Sequence, residues 1–460
     1  MRTQMKKVKL RSSFRDLSGF VFEKEGRVLR QVNKVYKKDY DLLISSGLYN
    51  ELVSNQLLIS HSELGGNLAF EKSISYKVIE PKKLDFISYP YEWCFSQLKD
   101  AGLLTLRIQK LALKHGLTLK DASAYNIQFY KGRPVFIDTL SFEKYHEGEP
   151  WVAYRQFCQH FLAPLVLVSF KDPRFTKLLR VFIDGFPLSF VSKLIPKRTW
   201  LNLGLLTHIH LHARSQSYYA NKKIVKKKIT KVGLRGIVDN LESTLKSLSW
   251  NPEGTQWAEY YSFTNYNEEA FVYKKRIVNS FIDTVKPKIV LDLGANTGVF
   301  SRIASSQKIV TISVDNDPAA VERNYLESKK NKEEYILPLI IDLENPSPAI
   351  GWMSEERTSF IERRPFDLVM SLALLHHLSI SNNLPFDNVA DFFKKVGRFL
   401  IIEFIPKKDS QVQRLLTSRK DIFGSYSIDN FEYVFAKHFR IIRKEKIPAS
   451  ERVLYLMCKK

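Results

Sequence analysis

Apolar and polar positions follow two different rhythms along this chain. Residues 18–36 (SGFVFEKEGRVLRQVNKVY) alternate with a period of two, predicting a β-hairpin that turns near Glu25-Gly26. Residues 68–80 (LAFEKSISYKVIE) predict further strands before Pro81. Between Cys94 and His115, Phe95, Leu98, Leu103, Leu104, Leu106, Ile108 and Leu111 recur at helical spacing. Residues 171–240 read as helical. From about residue 285 the pattern changes to short, unbroken apolar runs separated by helix-length segments. These runs are Ile289–Leu291, Ile309–Val314, Leu339–Ile341, Phe366–Met370 and Phe399–Ile402, with a final pair near Phe439–Ile442 and Val453–Met457. Runs buried on both faces and alternating with helices predict a doubly wound parallel sheet.

Composition adds scale and charge. With 460 residues, 44% of them hydrophobic, the chain can build two or three domains with real cores. Its longest apolar stretch, Phe161–Phe170, is half the length needed to span a bilayer. MRTQMKKVKLRSSF carries charge with no apolar segment after it, so no secretory signal is expected. Cys94, Cys158 and Cys458 are too scattered for a disulfide framework or a zinc pattern, which predicts a cytoplasmic protein. Residues 1–240 hold 40 Lys+Arg against 20 Asp+Glu, and the remainder 31 against 28. The basic surplus of the first half suits a polyanion or anionic surface. It is densest from Lys222 to Lys231, where a solvated basic face is the simpler reading.

Candidate chemistry concentrates at KIVLDLGANTGVFSRIA, residues 288–304. A strand ends in Asp292, a turn carries Gly294-Ala295-Asn296-Thr297-Gly298, and a helix is expected from Val299-Phe300. Such a turn lets a ligand approach bare backbone at the carboxyl edge of a sheet. A dinucleotide fingerprint would need glycines where Asn296 and Val299 stand, and no Lys-Ser or Lys-Thr follows Gly298 as a P-loop requires. The pattern resembles motif I of the class I S-adenosylmethionine (SAM) methyltransferases, over about residues 250–460. That resemblance implies a seven-strand doubly wound Rossmann-like domain and SAM held by Asp292, Gly294, Ala295, Asn296, Gly298, Asp315, Asn316, Asp342 and Ser371. In it, Asp315 would accept the ribose hydroxyls and Asp342 would lie near the adenine amino group. His376 and His377, in the LHHL that follows the fourth strand, would lie near the transferred methyl. Trp257, Tyr260, Tyr261, Asn265 and Tyr266 are candidates for a lid or acceptor wall, and Glu403–Asp409 for the acceptor rim.

The segment LTLKDASAYNIQFYKGRPVFIDTLSF resembles the core of the protein-kinase and aminoglycoside-phosphotransferase superfamily. In that comparison Asp121 would accept a hydroxyl proton, while Asn126 and Asp138 would hold magnesium against ATP phosphates. Lys77, with Glu92 as its partner, is the candidate phosphate-pairing lysine. Leu119 stands where the family usually has histidine, and no Gly-rich loop is evident upstream. Asp121 and Asn126 ordering a loop is the plainer alternative. His208, His210 and His212 would share one face on a strand and could bind zinc, but their surroundings favour a helix that separates them.

The domain organisation expected is a basic α+β domain of kinase-like character (1–170), a helical basic connector (171–245) and a methyltransferase domain (246–460). SYPYEW, KDASAYN and DLGANTGVFSR (88–93, 120–126 and 292–302) resemble poorly characterised bacterial nodulation-type methyltransferases. The expected activity is SAM-dependent methylation of an O or N atom of a small or glycan-type acceptor. The alternatives are a nucleic-acid methyltransferase using the basic half, a bifunctional protein with a phosphotransferase, and a non-catalytic scaffold.

Overall fold

The computed structural model describes residues 8–219, 228–253, 268–363, 365–417, 420–448 and 450–460. The chain divides into two compact units. The first comprises residues 1–251 together with 349–357, and the second comprises 252–348 and 358–460. The stretch 171–245 falls within the first unit.

The first unit opens with an antiparallel sheet of five strands, β1 (Val8–Lys9), β2 (Gly19–Lys24), β3 (Arg27–Asn33), β4 (His61–Leu64) and β5 (Ser75–Pro81), in the order β1-β2-β3-β5-β4. The β2–β3 hairpin turns at Glu25 (φ 57°) and Gly26 (φ 74°), the paired positive φ of a tight hairpin turn. Of residues 68–80 only the second part is a strand; Gly66–Leu68 is a short 3₁₀ turn. Two helices, Lys37–Ser45 and Leu48–Ser54, link β3 to β4.

Beyond the sheet, Phe95–Lys114 is a single 20-residue helix burying Leu98, Leu106 and Ile108. Gly102 lets helix Lys231–Ser247 pack closely on it; a Cβ there would lie 2.8 Å from Leu245 Cδ2. Two short ladders follow. β6 (Leu117–Leu119) pairs with β9 (Phe142–Lys144), and β7 (Ile127–Tyr130) pairs with β8 (Arg133–Phe136). The first unit thus runs as a five-stranded antiparallel sheet with a helical insertion, then a long helix, then a loop ahead of a small hairpin.

The second unit is a seven-stranded sheet. Its strands are β10 (Ile289–Leu293), β11 (Val310–Asp315), β12 (Ile336–Ile340), β13 (Phe366–Ser371), β14 (Gly397–Phe404), β15 (Phe439–Lys446) and β16 (Val453–Lys459). They lie in the order β12-β11-β10-β13-β14-β16-β15. The ladders from β12 through β14 are parallel, and β16 runs antiparallel to both its neighbours. This is the doubly wound arrangement expected of a class I methyltransferase fold. Reversal of strand order on either side of β10 opens a crevice at the carboxyl edge, where ligands of such sheets bind. Val290, Leu368, Met370, Ile401 and Leu456 form the core, with Val278 and Phe281 of helix Glu268–Val285 packed against it. Among the described residues no helix is long and apolar enough to cross a membrane.

Candidate functional site

The crevice is built first by a glycine turn. Gly294 (φ 70°), Asn296 (φ 50°) and Gly298 (φ 81°) all take left-handed backbone. The turn is anchored because the N–H groups of Gly294 and Ala295 both donate to the Val314 carbonyl at 3.0 Å. A Cβ at Gly298 would lie 2.5 Å from Asn324 Oδ1, so both backbone conformation and packing demand glycine there. The helix after the turn begins at Ser301 and spans only Ser301–Ser305, later and shorter than the apolar pattern predicts.

Three acidic side chains lie along this edge. Asp292 is 2% exposed and accepts a hydrogen bond from Ser301 Oγ at 2.6 Å. Burial pushes its carboxyl up to about 7, with Asp315 adding to the rise, while Ser301 and Lys274 oppose it. Asp315 accepts from the N–H of Asn296 (2.8 Å) and of Asp317 (2.9 Å), so it ties the end of β11 to the glycine turn. Burial raises its carboxyl too. The neighbouring Asp317 instead caps helix Pro318–Asn331 through the Ala319 N–H at 2.8 Å. Asn316, between them, is exposed. At the end of β12, half-buried Asp342 accepts from the Glu344 N–H at 3.1 Å.

The facing wall comes from β13 and β14. Ser371 is fully buried and, among the described residues, its hydroxyl has no partner; the same holds for Nδ1 of buried His376. The His376 and His377 rings lie 4.1 Å apart. Burial lowers both imidazoles, His377 to about 4, so both are neutral at physiological pH. Ala373, in the loop between Ser371 and His376, has φ 51° and donates its N–H to Glu403 Oε2 at 2.8 Å. Glu403 is 0% exposed and pairs at 2.7 Å with Lys274, itself 2% exposed. Arg452 lies 3.7 Å from Glu403 and bonds Asp409 at 2.7 Å. A buried four-charge network thus fixes the loop that presents Ser371 and His376. Glu403 and Asp409 belong to the rim proposed from sequence; Lys274 and Arg452 do not. Lys274 occupies an apolar position of its helix, in register with Ala270, Ile277, Val278 and Phe281, a lysine where the pattern calls for a hydrophobe.

In the first unit Asp121, Asn126 and Asp138 are brought together. Burial raises the Asp121 carboxyl, Asp138 adds to it, and hydrogen bonds from the Ser123 N–H, Asn126 and Gln156 oppose it. Asn126 Nδ2 donates to Ser141 Oγ at 3.3 Å. Lys77 is not brought to this group. It pairs at 2.5 Å with Glu63 on the adjoining strand β4, while buried Glu92 accepts from the Tyr89 N–H at 3.0 Å. The cation that reaches Asp138 is Arg30, which the sequence reading passed over.

The histidines of THIHLHAR lie on the helical stretches Leu206–Leu211 and His212–Tyr219. His208 lies 2.7 Å from both Tyr154 and Asn240, and His210 within 2.9 Å of Ser192 and Thr199. His208 and His210 are satisfied core residues. Among the described residues no group of three His, Cys, Asp or Glu is placed to hold a metal. Trp257, Tyr260, Tyr261, Asn265 and Tyr266, and residues 222–227 of the basic run, lie outside the described residues.

No protein-family model matches the chain. The nodulation protein NoeA of Rhizobium meliloti (strain 1021) is 35% identical over 455 residues, covering 96% of this chain and 94% of that protein. Among solved structures, the bifunctional kinase-methyltransferase WbdD aligns at 17% identity and a TM-score of 0.30 over 45% of this chain and 43% of its own, so the match spans under half of that protein. The N-methyltransferase NodS from Bradyrhizobium japonicum WM9 aligns at 13% identity and a TM-score of 0.31, over 42% of this chain and 98% of its own.

Proposed function

The chain belongs to the family of the nodulation protein NoeA, and starting from that membership we propose that its second unit transfers a methyl group from SAM to an O or N atom of a small or glycan-type acceptor. The observation that carries this reading is the left-handed glycine turn at the carboxyl edge of β10, tied to Asp315 at the tip of the next strand. Both Asp315 oxygens already accept one N–H each, and a carboxylate keeps further lone pairs for the two ribose hydroxyls. Backbone around Gly294–Gly298 would receive the methionine end, with Asn316 and Asp342 flanking the ribose and adenine. The buried Ser371 hydroxyl, unpartnered among the described residues, fits a polar ligand at the same edge.

SAM supplies a methyl group already activated for transfer, so positioning and exclusion of water carry most of the acceleration. The protein's own part is to orient the acceptor and receive its proton. His376 and His377 are the candidates for that role: burial keeps both neutral, and because it also disfavours the imidazolium it leaves them weak bases, able to take up only a proton made acidic by methyl transfer. The Glu403–Lys274–Arg452–Asp409 network holds their loop without presenting a net charge to the acceptor.

Calorimetry with SAM and S-adenosylhomocysteine tests the cofactor assignment. Asp315→Ala should weaken SAM roughly tenfold or more, the loss of charge-assisted bonds to two hydroxyls; unchanged affinity would remove the ribose assignment. Labelled SAM incubated with fractionated cell extract would then identify the acceptor class.

A further inference from the structure

In the kinase fold three parts converge on the nucleotide phosphates: the turn joining the first two strands covers them, a lysine on the third strand pairs with them, and an aspartate after the catalytic loop holds magnesium. The first unit brings the same three places together with different chemistry. The turn between β1 and β2, Leu10–Ser18, contains no glycine and contributes Asp16. The third strand contributes Arg30. Arg30 is 8% exposed, and its guanidinium bridges two carboxylates, Asp138 at 2.7 Å and Asp16 at 2.9 Å. Asp138 also accepts from the Leu140 N–H at 2.8 Å, and Asp16 from the Ser18 N–H at 2.8 Å, so both are held in place independently of the arginine. Lys120, beside Asp121, is engaged as well: its ammonium donates to Ser18 Oγ at 2.6 Å and stands over the Tyr36 ring at 4.4 Å.

We infer that Arg30, standing in the place of the third-strand lysine, is a built-in counter-cation to the carboxylate that would hold the metal, and that this site takes no magnesium–nucleotide. Two arguments support it. A guanidinium bound to Asp138 occupies an oxygen that a divalent ion would need, and five fixed N–H donors make it a poor group to displace. An aspartate on the turn above the phosphate position repels the ligand that a glycine-rich turn would cradle. The residues therefore do not fit ATP and magnesium. The unit keeps the framework of a phosphotransferase with its charges balanced internally.

The test uses the full chain. Free Mn²⁺ is followed by electron paramagnetic resonance during titration, and Mg·ATP binding by calorimetry, for the wild type, Asp138→Asn, Arg30→Lys and Arg30→Met. The expected result is that the wild type and Asp138→Asn bind Mn²⁺ equally weakly and neither takes up Mg·ATP. Arg30→Met leaves Asp16 and Asp138 facing each other without a counter-charge and should gain Mn²⁺ affinity roughly tenfold, while Arg30→Lys should not. Mn²⁺ or Mg·ATP binding by the wild type that Asp138→Asn abolishes would overturn the inference. So would a folded Arg30→Met with no gain. If Arg30→Met does not fold, the comparison of wild type with Asp138→Asn decides alone.

Discussion

Asp292 shows how much one enclosed side chain can set. Its carboxyl titrates near 7 in the folded chain against 3.8 for an ordinary aspartate, so the folded state holds a proton that the unfolded state releases. Stability should therefore fall as pH rises through the interval between those values and level off above it, a difference of about 3 kcal/mol between pH 5 and pH 8 from this group. Asp292→Asn keeps an acceptor for Ser301 and removes the titration; urea unfolding at pH 5, 6.5 and 8 should show a flatter profile, and an unchanged slope would assign the effect elsewhere. Lys274 makes the complementary case. Replacing it with alanine strands Glu403 in a closed interior and should cost about 3 kcal/mol or more, whereas pairing Lys274→Met with Glu403→Gln should recover part of that loss. Asp292 and Asp315 were legible as strand-tip acids. Lys274 left a trace as a cation in an apolar register, but nothing local says that its partner is Glu403, far along the chain.

Helices and strands were legible where burial is two-sided or alternation is clean. Six of the seven strands of the second unit fall on apolar runs, because a sheet covered on both faces writes itself as unbroken hydrophobicity, while the edge strand β15 (FRIIRKEK) is largely charged. Their limits were less clear. β12 begins at Ile336, ahead of the expected start, and runs through Pro338, which is tolerated because β12 is the edge of the sheet. The four-residue strand β4 was missed outright, since His61-Ser62-Glu63-Leu64 buries almost nothing. That omission also misdirected the choice of Lys77. β4 supplies Glu63, the partner of Lys77, and the alternation of residues 18–36 marks Arg30 as part of a hairpin without showing the carboxylates it reaches. The glycine turn gives a sharper test. Gly298→Ala places a methyl group against Asn324 in left-handed backbone and should cost roughly 2 kcal/mol, with SAM affinity falling alongside. A variant as stable as the wild type would show that the turn relaxes.

Across the whole chain, charge is unevenly shared. Residues 1–240 carry twice as many basic as acidic side chains, and the rest is close to balance. If that surplus meets a polyanion, retention on heparin should drop steeply as salt rises; a salt-insensitive profile would mark the surplus as solvated surface. The two-unit division was only partly legible, because a composition shift marks a boundary and not a return. Residues 349–357 lie after β12 in sequence yet belong to the first unit, where Glu356 pairs with Arg15 at 2.6 Å and the Arg357 guanidinium stands 4.2 Å over the Tyr125 ring. A chain cut after Asn251 forfeits those nine residues and should melt several degrees lower than the intact protein. Anyone grafting either half onto a foreign partner therefore faces three splice junctions instead of one.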